Sequence, residues 1–97
     1  MSNCAGVALI DNRRLEYQVI ALEYVPGTLI SIEAICLNQY NREATFKLST
    51  KNLLSSDKKT EIAFSIINSL IKEVGLDIDK LRKLCIRDKQ VFFITTV

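Results

Sequence analysis

The sequence predicts an α+β fold: a four-stranded antiparallel meander with one long helix on one face, a short second helix and a C-terminal strand. Three observations support this class. Successive segments carry β-branched or aromatic residues at a period of two, short turn-like stretches separate them, and one long amphipathic segment follows. At 97 residues, the chain is expected to form a single domain spanning residues 1 to 97.

The predicted meander comprises residues 15 to 25, 28 to 37 and 43 to 49, preceded by the apolar run VALI at residues 7 to 10. Because DNRR follows that run, we expect a short buried strand that forms a hairpin with the next strand. In the third of these segments, residues 43 to 49, apolar and polar residues alternate strictly. That strand therefore has one dry face and one wet face.

Two chain reversals predict the register of the meander. Pro26-Gly27 favours a type II turn, and a symmetric reversal there predicts the pairs Tyr17 with Cys36, Val19 with Ala34, Ala21 with Ile32 and Glu23 with Ile30. A symmetric reversal about Tyr40 predicts the pairs Cys36 with Ala44, Ala34 with Phe46 and Ile32 with Leu48. Both reversals put apolar residues on one side of the middle strand, whereas a shift by one residue would bury polar groups.

The opposite face of the meander is predicted to be a protein interface. Glu33 lies there across from Lys47, but most of the face is apolar: Ile20, Leu22, Tyr24, Leu29, Ile35 and Leu37. A sheet face with this many apolar residues is not expected to be open to water, so another part of the chain or another molecule should pack on it. Another protein or a second copy of the chain is one candidate, and another element of the same chain is the alternative.

The long helix is predicted to begin at Ser55, Ser56 or Asp57 and to end at Gly75. Its apolar stripe comprises Ile62, Ala63, Ile66, Ile67, Leu70, Ile71 and Val74. The stripe is expected to pack across the apolar face of the meander.

A shorter helix is predicted from Asp77 to about Cys85, with Ile78, Leu81 and Leu84 on one side. The acidic residues of DID, at residues 77 to 79, suit a helix N-terminus better than a cation site. The final segment VFFITTV is predicted to be a buried strand, antiparallel beside the first strand of the sheet.

Charged residues form one local cluster. The chain has 13 basic and 11 acidic residues, and the run KLRKLCIRDK holds five cations: Lys80, Arg82, Lys83, Arg87 and Lys89. A solvated helix face is the favoured interpretation, because cations suit a helix C-terminus. Binding of nucleic-acid phosphates by residues 80 to 89 is the alternative.

The sequence favours a non-enzymatic protein. It has no histidine, and its three glycines form no phosphate-binding loop. Cys4, Cys36 and Cys85 are scattered along the chain, so we expect buried, inert thiols rather than metal ligands. No catalytic residue, metal site or cofactor is predicted.

The odd number of cysteines favours a reducing, cytoplasmic setting, and the chain has no apolar run near the about 20 residues of a membrane helix. By elimination, we expect a small soluble regulatory or inhibitory module that binds another protein, or a second copy of itself, through its apolar sheet face. Nucleic-acid binding through residues 80 to 89 is the alternative function, and an enzyme is the weakest of the three classes.

Overall fold

The computed structural model describes residues 4–38, 40, 42–51, 53 and 57–97. It shows an antiparallel sheet of six strands with one helix, so the α+β class is confirmed, although the number of strands and helices differs from the prediction. The elements in chain order are β1 (Ala5–Ile10), β2 (Arg13–Val25), β3 (Leu29–Leu37), β4 (Glu43–Thr50), α1 (Lys58–Val74), β5 (Leu81–Arg87) and β6 (Gln90–Thr95).

The long strand β2 organises the sheet. Strand order is β4-β3-β2-β5-β6, and β1 also pairs with β2. β1 pairs with Arg13 to Gln18 of β2, and β5 pairs with Leu22 to Tyr24. The two halves of β2 therefore share β3 on one side but have different neighbours on the other.

The hairpins β1–β2 and β5–β6 have the same tight connection. Asp11 and Asn12 have φ values of 53° and 64°, and Asp88 and Lys89 have φ values of 53° and 62°. Two central residues with positive φ form a type I′ turn, whose twist matches that of paired strands. Asp and Asn tolerate this conformation better than most residues.

The predicted register of β3 and β4 is confirmed, including the pairs Cys36 with Ala44, Ala34 with Phe46 and Ile32 with Leu48. The reversal is organised by Asn38, whose side-chain Oδ1 accepts hydrogen bonds from the backbone N–H of Tyr40 at 2.8 Å and of Arg42 at 3.0 Å. Asn38 also donates its own backbone N–H to the Arg42 carbonyl at 3.1 Å. Local side-chain bonds of this kind favour a turn.

The predicted register of β2 and β3 is correct at one end. Tyr17 pairs with Cys36 and Val19 pairs with Ala34, as expected from the reversal. A β-bulge at Ile20 then shifts the pairing by one residue. Ile20 is the extra residue and has no partner in β3. Beyond it, each residue of β2 points to the face opposite to the one that strict alternation predicts.

Beyond the bulge the predicted pairs of Ala21 and Glu23 are wrong. The observed pairs are Ala21 with Glu33, Leu22 with Ile32, Glu23 with Ser31 and Tyr24 with Ile30. The turn explains the shift, because three residues separate the last pair, Val25 with Leu29. Gly27 has a φ of 76°, and the Thr28 N–H donates to the Val25 carbonyl at 2.9 Å, as a type II turn requires.

Helix α1 begins and ends as predicted. The Asp57 side chain accepts a hydrogen bond from the Thr60 N–H at 2.8 Å, whereas Ser55 and Ser56 lie outside the described residues. At the other end, Gly75 has a φ of 81° and donates its N–H to the Lys72 carbonyl at 3.2 Å. Together with a bond from the Leu76 N–H to the Ile71 carbonyl, this forms a Schellman motif.

The core lies between α1 and one face of the sheet, which we call the covered face. Six α1 residues are buried: Thr60, Ala63, Ile66, Ile67, Leu70 and Ile71. Ile62 and Val74 are partly buried against the same core. Leu84 of β5 is also fully buried, so the covered face extends to the second half of β2.

The segment predicted as a second helix is the strand β5. Asp77 begins a turn rather than a helix. Its side chain accepts a hydrogen bond from the Asp79 N–H at 3.0 Å, and its carbonyl accepts one from the Lys80 N–H at 3.0 Å. Leu81 and Leu84 fit a helical spacing, whereas Leu84 and Ile86 fit a period of two, so a run this short does not separate the two structures. Pairing with β2 and β6 selects the strand.

The predictions for the first and last strands need correction. Within β1 only Ala8 is buried, and Leu9 is 70% exposed. The last strand, β6, pairs with β5 rather than with β1, and most of its residues are exposed. The prediction of two buried strands was wrong because an unbroken apolar run does not distinguish a central strand from an edge strand.

Candidate protein-contact surface

The side of the sheet opposite α1 is the candidate functional surface, and we call it the open face. Helix α1 packs on the other side, with its close contacts to β1 and β4. Along each strand the residues between the buried ones point to the open face. This face therefore combines residues from all six strands, and it includes both charged and apolar regions.

The centre of the open face is a charged concavity of about 530 Å³. Lys47 Nζ lies 3.7 Å from Glu33 Oε2, and Lys83 Nζ lies 3.4 Å from Glu23 Oε2. All four side chains keep much of their surface in water. Ion pairs of this kind are weak, so they define the polarity of the concavity rather than its stability.

One end of the open face is formed by β1, β2 and β3 and holds a second concavity of about 430 Å³. Val7, Ile35 and Leu37 supply its apolar floor, and Glu16 and Glu43 lie among the residues that frame it. Ile20, at the bulge, is 42% exposed nearby in β2. We call this region the β1–β3 end.

The other end is formed by β5 and β6 and holds a concavity of about 520 Å³. Phe92 pairs with Cys85, and Ile94 pairs with Lys83. Phe92 is 52% exposed and Ile94 is 57% exposed. We call this region the β5–β6 end.

The six residues predicted as an interface do not stay together. Ile20, Leu29, Ile35 and Leu37 are exposed or partly exposed, whereas Leu22 is 3% exposed and Tyr24 is 6% exposed. The bulge turns Leu22 and Tyr24 to the covered face, where the Tyr24 ring meets that of Phe64 edge-on, with centroids 6.4 Å apart. Placing these two residues on the open face was therefore wrong.

The five clustered cations also separate, because they lie on turns and a strand rather than on one helix face. Lys83 and Arg87 lie on the open face beside Phe92. Arg82 occupies a bulge in β5, Lys89 the type I′ turn and Lys80 the turn before β5. Two of the five cations thus remain on one surface.

Two of the three thiols are buried as predicted. Burial raises the pKa of both Cys4 and Cys36, which disfavours the reactive thiolate. Cys85 was expected in the core, but it is partly exposed on the open face. Its Sγ lies 3.8 Å from Nη2 of Arg87, and this contact is the largest cause that raises the pKa of the guanidinium.

A hydrogen-bond chain ties α1 to β1 beneath the β1–β3 end. The Tyr17 hydroxyl donates to Oγ of Ser69 at 2.9 Å, and the Ser69 hydroxyl donates to the Val7 carbonyl at 3.0 Å. Burial is the main cause that raises the pKa of Tyr17. A Cβ atom at Gly6 would lie 2.6 Å from the Tyr17 hydroxyl oxygen, so the absence of a side chain there lets the ring reach the helix.

Sequence reasoning missed Phe92 and Ile94 as surface residues. Residues 91 to 94 form an unbroken apolar run without a charged residue, which is typical of a buried strand, so the segment was assigned to the core. Its true environment depends on β5, which the sequence did not predict as a strand. Exposure of the last strand could not be predicted without its neighbour.

No family model, curated protein or solved structure matches this chain. Within the described residues, no helix is long and apolar enough to cross a membrane. In the same part of the chain, no group of three or more acidic or cysteine side chains is arranged to hold a metal ion. The fold and surface define a small α+β domain with one face covered by a helix and one face open.

Proposed function

We propose that this protein is a non-enzymatic protein-binding module that acts through the open face of its sheet. One observation carries the proposal: at the β1–β3 end, apolar residues of β1 and β3 meet across β2 at a concave surface that α1 does not cover. Grouped, exposed apolar side chains mark contact sites more often than isolated ones do. A regulatory or inhibitory role would follow from occupying a surface of the partner.

The chemistry of this end also describes the partner. Val7 and Ile35 offer apolar surface at the centre, Ile20 adds exposed apolar surface beside it, and Glu16 and Glu43 add negative charge around it. A complementary partner would present an apolar patch framed by basic side chains. Charged rims of this kind steer association and select the partner, while the apolar centre supplies most of the affinity.

Site-specific photo-crosslinking tests the proposal. A photoreactive residue at Ile20 should form a discrete protein adduct in an extract of the source cells, because Ile20 lies at the proposed contact. The matched control is Lys59, an exposed residue of α1 on the other side of the sheet. Equal adducts from both positions, or none from Ile20, would reject the open face as the contact surface.

A second candidate function is binding of single-stranded nucleic acid at the β5–β6 end. It is favoured by the position of Phe92, an exposed aromatic ring on a sheet surface that also carries Lys83 and Arg87. An aromatic ring beside cations can stack a base and neutralise its phosphate. The net charge of only +2 limits the electrostatic attraction.

Gel shifts with single-stranded oligonucleotides test this candidate. Binding should weaken steeply with salt, and Phe92→Leu should weaken it further by removing the stacking ring. Phe93→Leu is the matched control, because Phe93 points to the other side of the sheet. Absence of binding at low salt would exclude this function.

A further inference from the structure

The two outer strands of the sheet differ in how they are protected from pairing with another chain. β4 forms one edge and carries Glu43 and Lys47, and charges on an edge strand oppose further pairing. β6 forms the other edge, and no charged residue occurs between Gln90 and Val97. The chain thus guards the outer edge at β4 and leaves the outer edge at β6 unguarded, whereas β1, which pairs with β2 alone and also lacks charge, has α1 packed against it.

The hydrogen bonds of the hairpin show which groups of β6 point outward. The two-residue turn makes Arg87 and Gln90 a hydrogen-bonded pair, so alternate residues from Gln90 onward bond to β5. The Thr96 N–H continues this pattern by donating to the Lys80 carbonyl at 2.8 Å. The backbone groups of Val91, Phe93 and Thr95 therefore face the open edge.

Exposed apolar side chains occupy the same strand on both of its faces. Phe92, Phe93 and Ile94 are 52%, 50% and 57% exposed. Since an aromatic side chain covers about 200 Å², these three residues expose roughly 300 Å² in each copy. Two copies would bury at most roughly 600 Å² from these side chains, up to half of what a small stable interface needs, before the paired backbones are added.

We propose that β6 pairs antiparallel with β6 of a second copy, about a two-fold axis at Phe93, to form one continuous sheet of twelve strands. In this register Phe92 of each copy meets Ile94 of the other on the open face, and the two Phe93 rings meet on the covered face. A two-fold contact must be self-complementary in this way. The dimer goes beyond the proposed function, because it uses the sheet edge and leaves the β1–β3 end free.

Charge also favours a second copy as the occupant. An identical β6 brings no charge to the new strand pair. The nearest cations on the open face, Lys83 and Arg87, lie on β5, and the two β5 strands of the dimer would be about 14 Å apart, three strand spacings. That separation exceeds the screening length of about 8 Å at physiological salt, so repulsion between them is weak.

Sedimentation equilibrium on the whole chain tests the dimer. The wild type should have twice the mass of one chain, and Phe93→Lys should have the mass of a monomer with an unchanged circular dichroism spectrum. The matched control is Thr45→Lys, which adds the same charge to the guarded edge strand β4 and should stay dimeric. A monomeric wild type, or a dimeric Phe93→Lys variant, overturns the proposal.

Mixing oppositely charged variants tests the position of the axis. Phe93→Lys and Phe93→Glu should each be monomeric, and an equimolar mixture should recover the dimer, because residue 93 faces itself across the axis. Failure of the mixture to associate would reject this register. The experiment also separates loss of pairing from loss of folding, since an unfolded variant would not be rescued.

Hydrogen exchange gives a readout that needs no variant. The outward amides of Val91, Phe93 and Thr95 should exchange slowly in concentrated solution and faster on dilution, as the dimer dissociates. Fast exchange at every concentration would overturn the dimer. A monomeric chain that still crosslinks to another protein through Ile20 would reject the dimer alone, whereas a dimer without such an adduct would reject only the open-face function.

Discussion

The covered and open faces of the sheet differ in what packs on them more than in where apolar residues occur along the strands. On the covered face, Ile30 and Leu84 are fully buried under one helix. On the open face, Ile35 and Leu37 are only partly buried, and a charged concavity lies between the two apolar ends. The position of a single bulge therefore decides which apolar residues of β2 become core and which remain available for contact.

The largest expected effect comes from placing one charge on either face of β2. Leu22→Lys should unfold the chain or cost more than about 4 kcal/mol, because it buries an unpaired ammonium group in the core. Ala21→Lys, one residue earlier, should stay within about 0.5 kcal/mol of wild type, since this position faces the charged concavity opposite Glu33. Chemical denaturation measures both, and similar losses would contradict the bulge.

A second prediction compares the centre and rim of the covered face. Ile66→Ala should cost about 2 to 5 kcal/mol, because the side chain is fully buried and the truncation leaves a cavity. Phe46→Ala should cost roughly half of the about 3 to 5 kcal/mol typical of a fully buried phenylalanine, since Phe46 is only partly buried on β4. Urea denaturation checks the order, and a larger loss at Phe46 would contradict it.

A third prediction concerns the contact between Gly6 and Tyr17. Gly6→Ala should cost about 1 to 3 kcal/mol, because the new methyl group must displace the hydroxyl that bonds Ser69. In a Tyr17→Phe background the same change should cost less, since the nearest atom has been removed. A double-mutant cycle measures the coupling, and strictly additive losses would show that the two residues do not meet.

A fourth prediction concerns the ion pairs of the open face. Lys47→Met should change the free energy of unfolding by less than about 0.5 kcal/mol, because its partner Glu33 remains partly hydrated. Lys83→Met should behave similarly, as Lys83 pairs with Glu23 in the same way. A loss above about 1.5 kcal/mol for either variant would place the concavity within a folded core.

The last prediction concerns the wild-type protein and the accessibility of its three thiols to an alkylating reagent. In the native protein Cys85 should react with iodoacetamide first, because it lies partly exposed on the open face. Cys4 and Cys36 should react only after denaturation, because they are buried and the same burial raises the pKa of each thiol. Mass spectrometry of the peptides checks the order, and early labelling of Cys36 would contradict the covered face.

Local signals in the sequence were sufficient for the helix and for one hairpin. Asp57 and Gly75 mark the ends of α1 through hydrogen bonds to nearby backbone groups, and its apolar spacing identifies the buried stripe. The β3–β4 register followed from a reversal centred on Tyr40 and from strict alternation in β4. Each of these features depends on residues close together in the chain.

Only the tertiary structure decided the bulge at Ile20, the conversion of the basic segment into β5, and the place of β6 at an open edge. In each case the local pattern allowed two structures: two possible registers, a helix or a strand, a buried or an exposed strand. Contacts between residues distant in sequence selected one of the two structures. For example, β1 pairs with only the first half of β2, so the second half is free to pair with β5. The open face depends on all three selections, so its residues became apparent only once the strands were assembled.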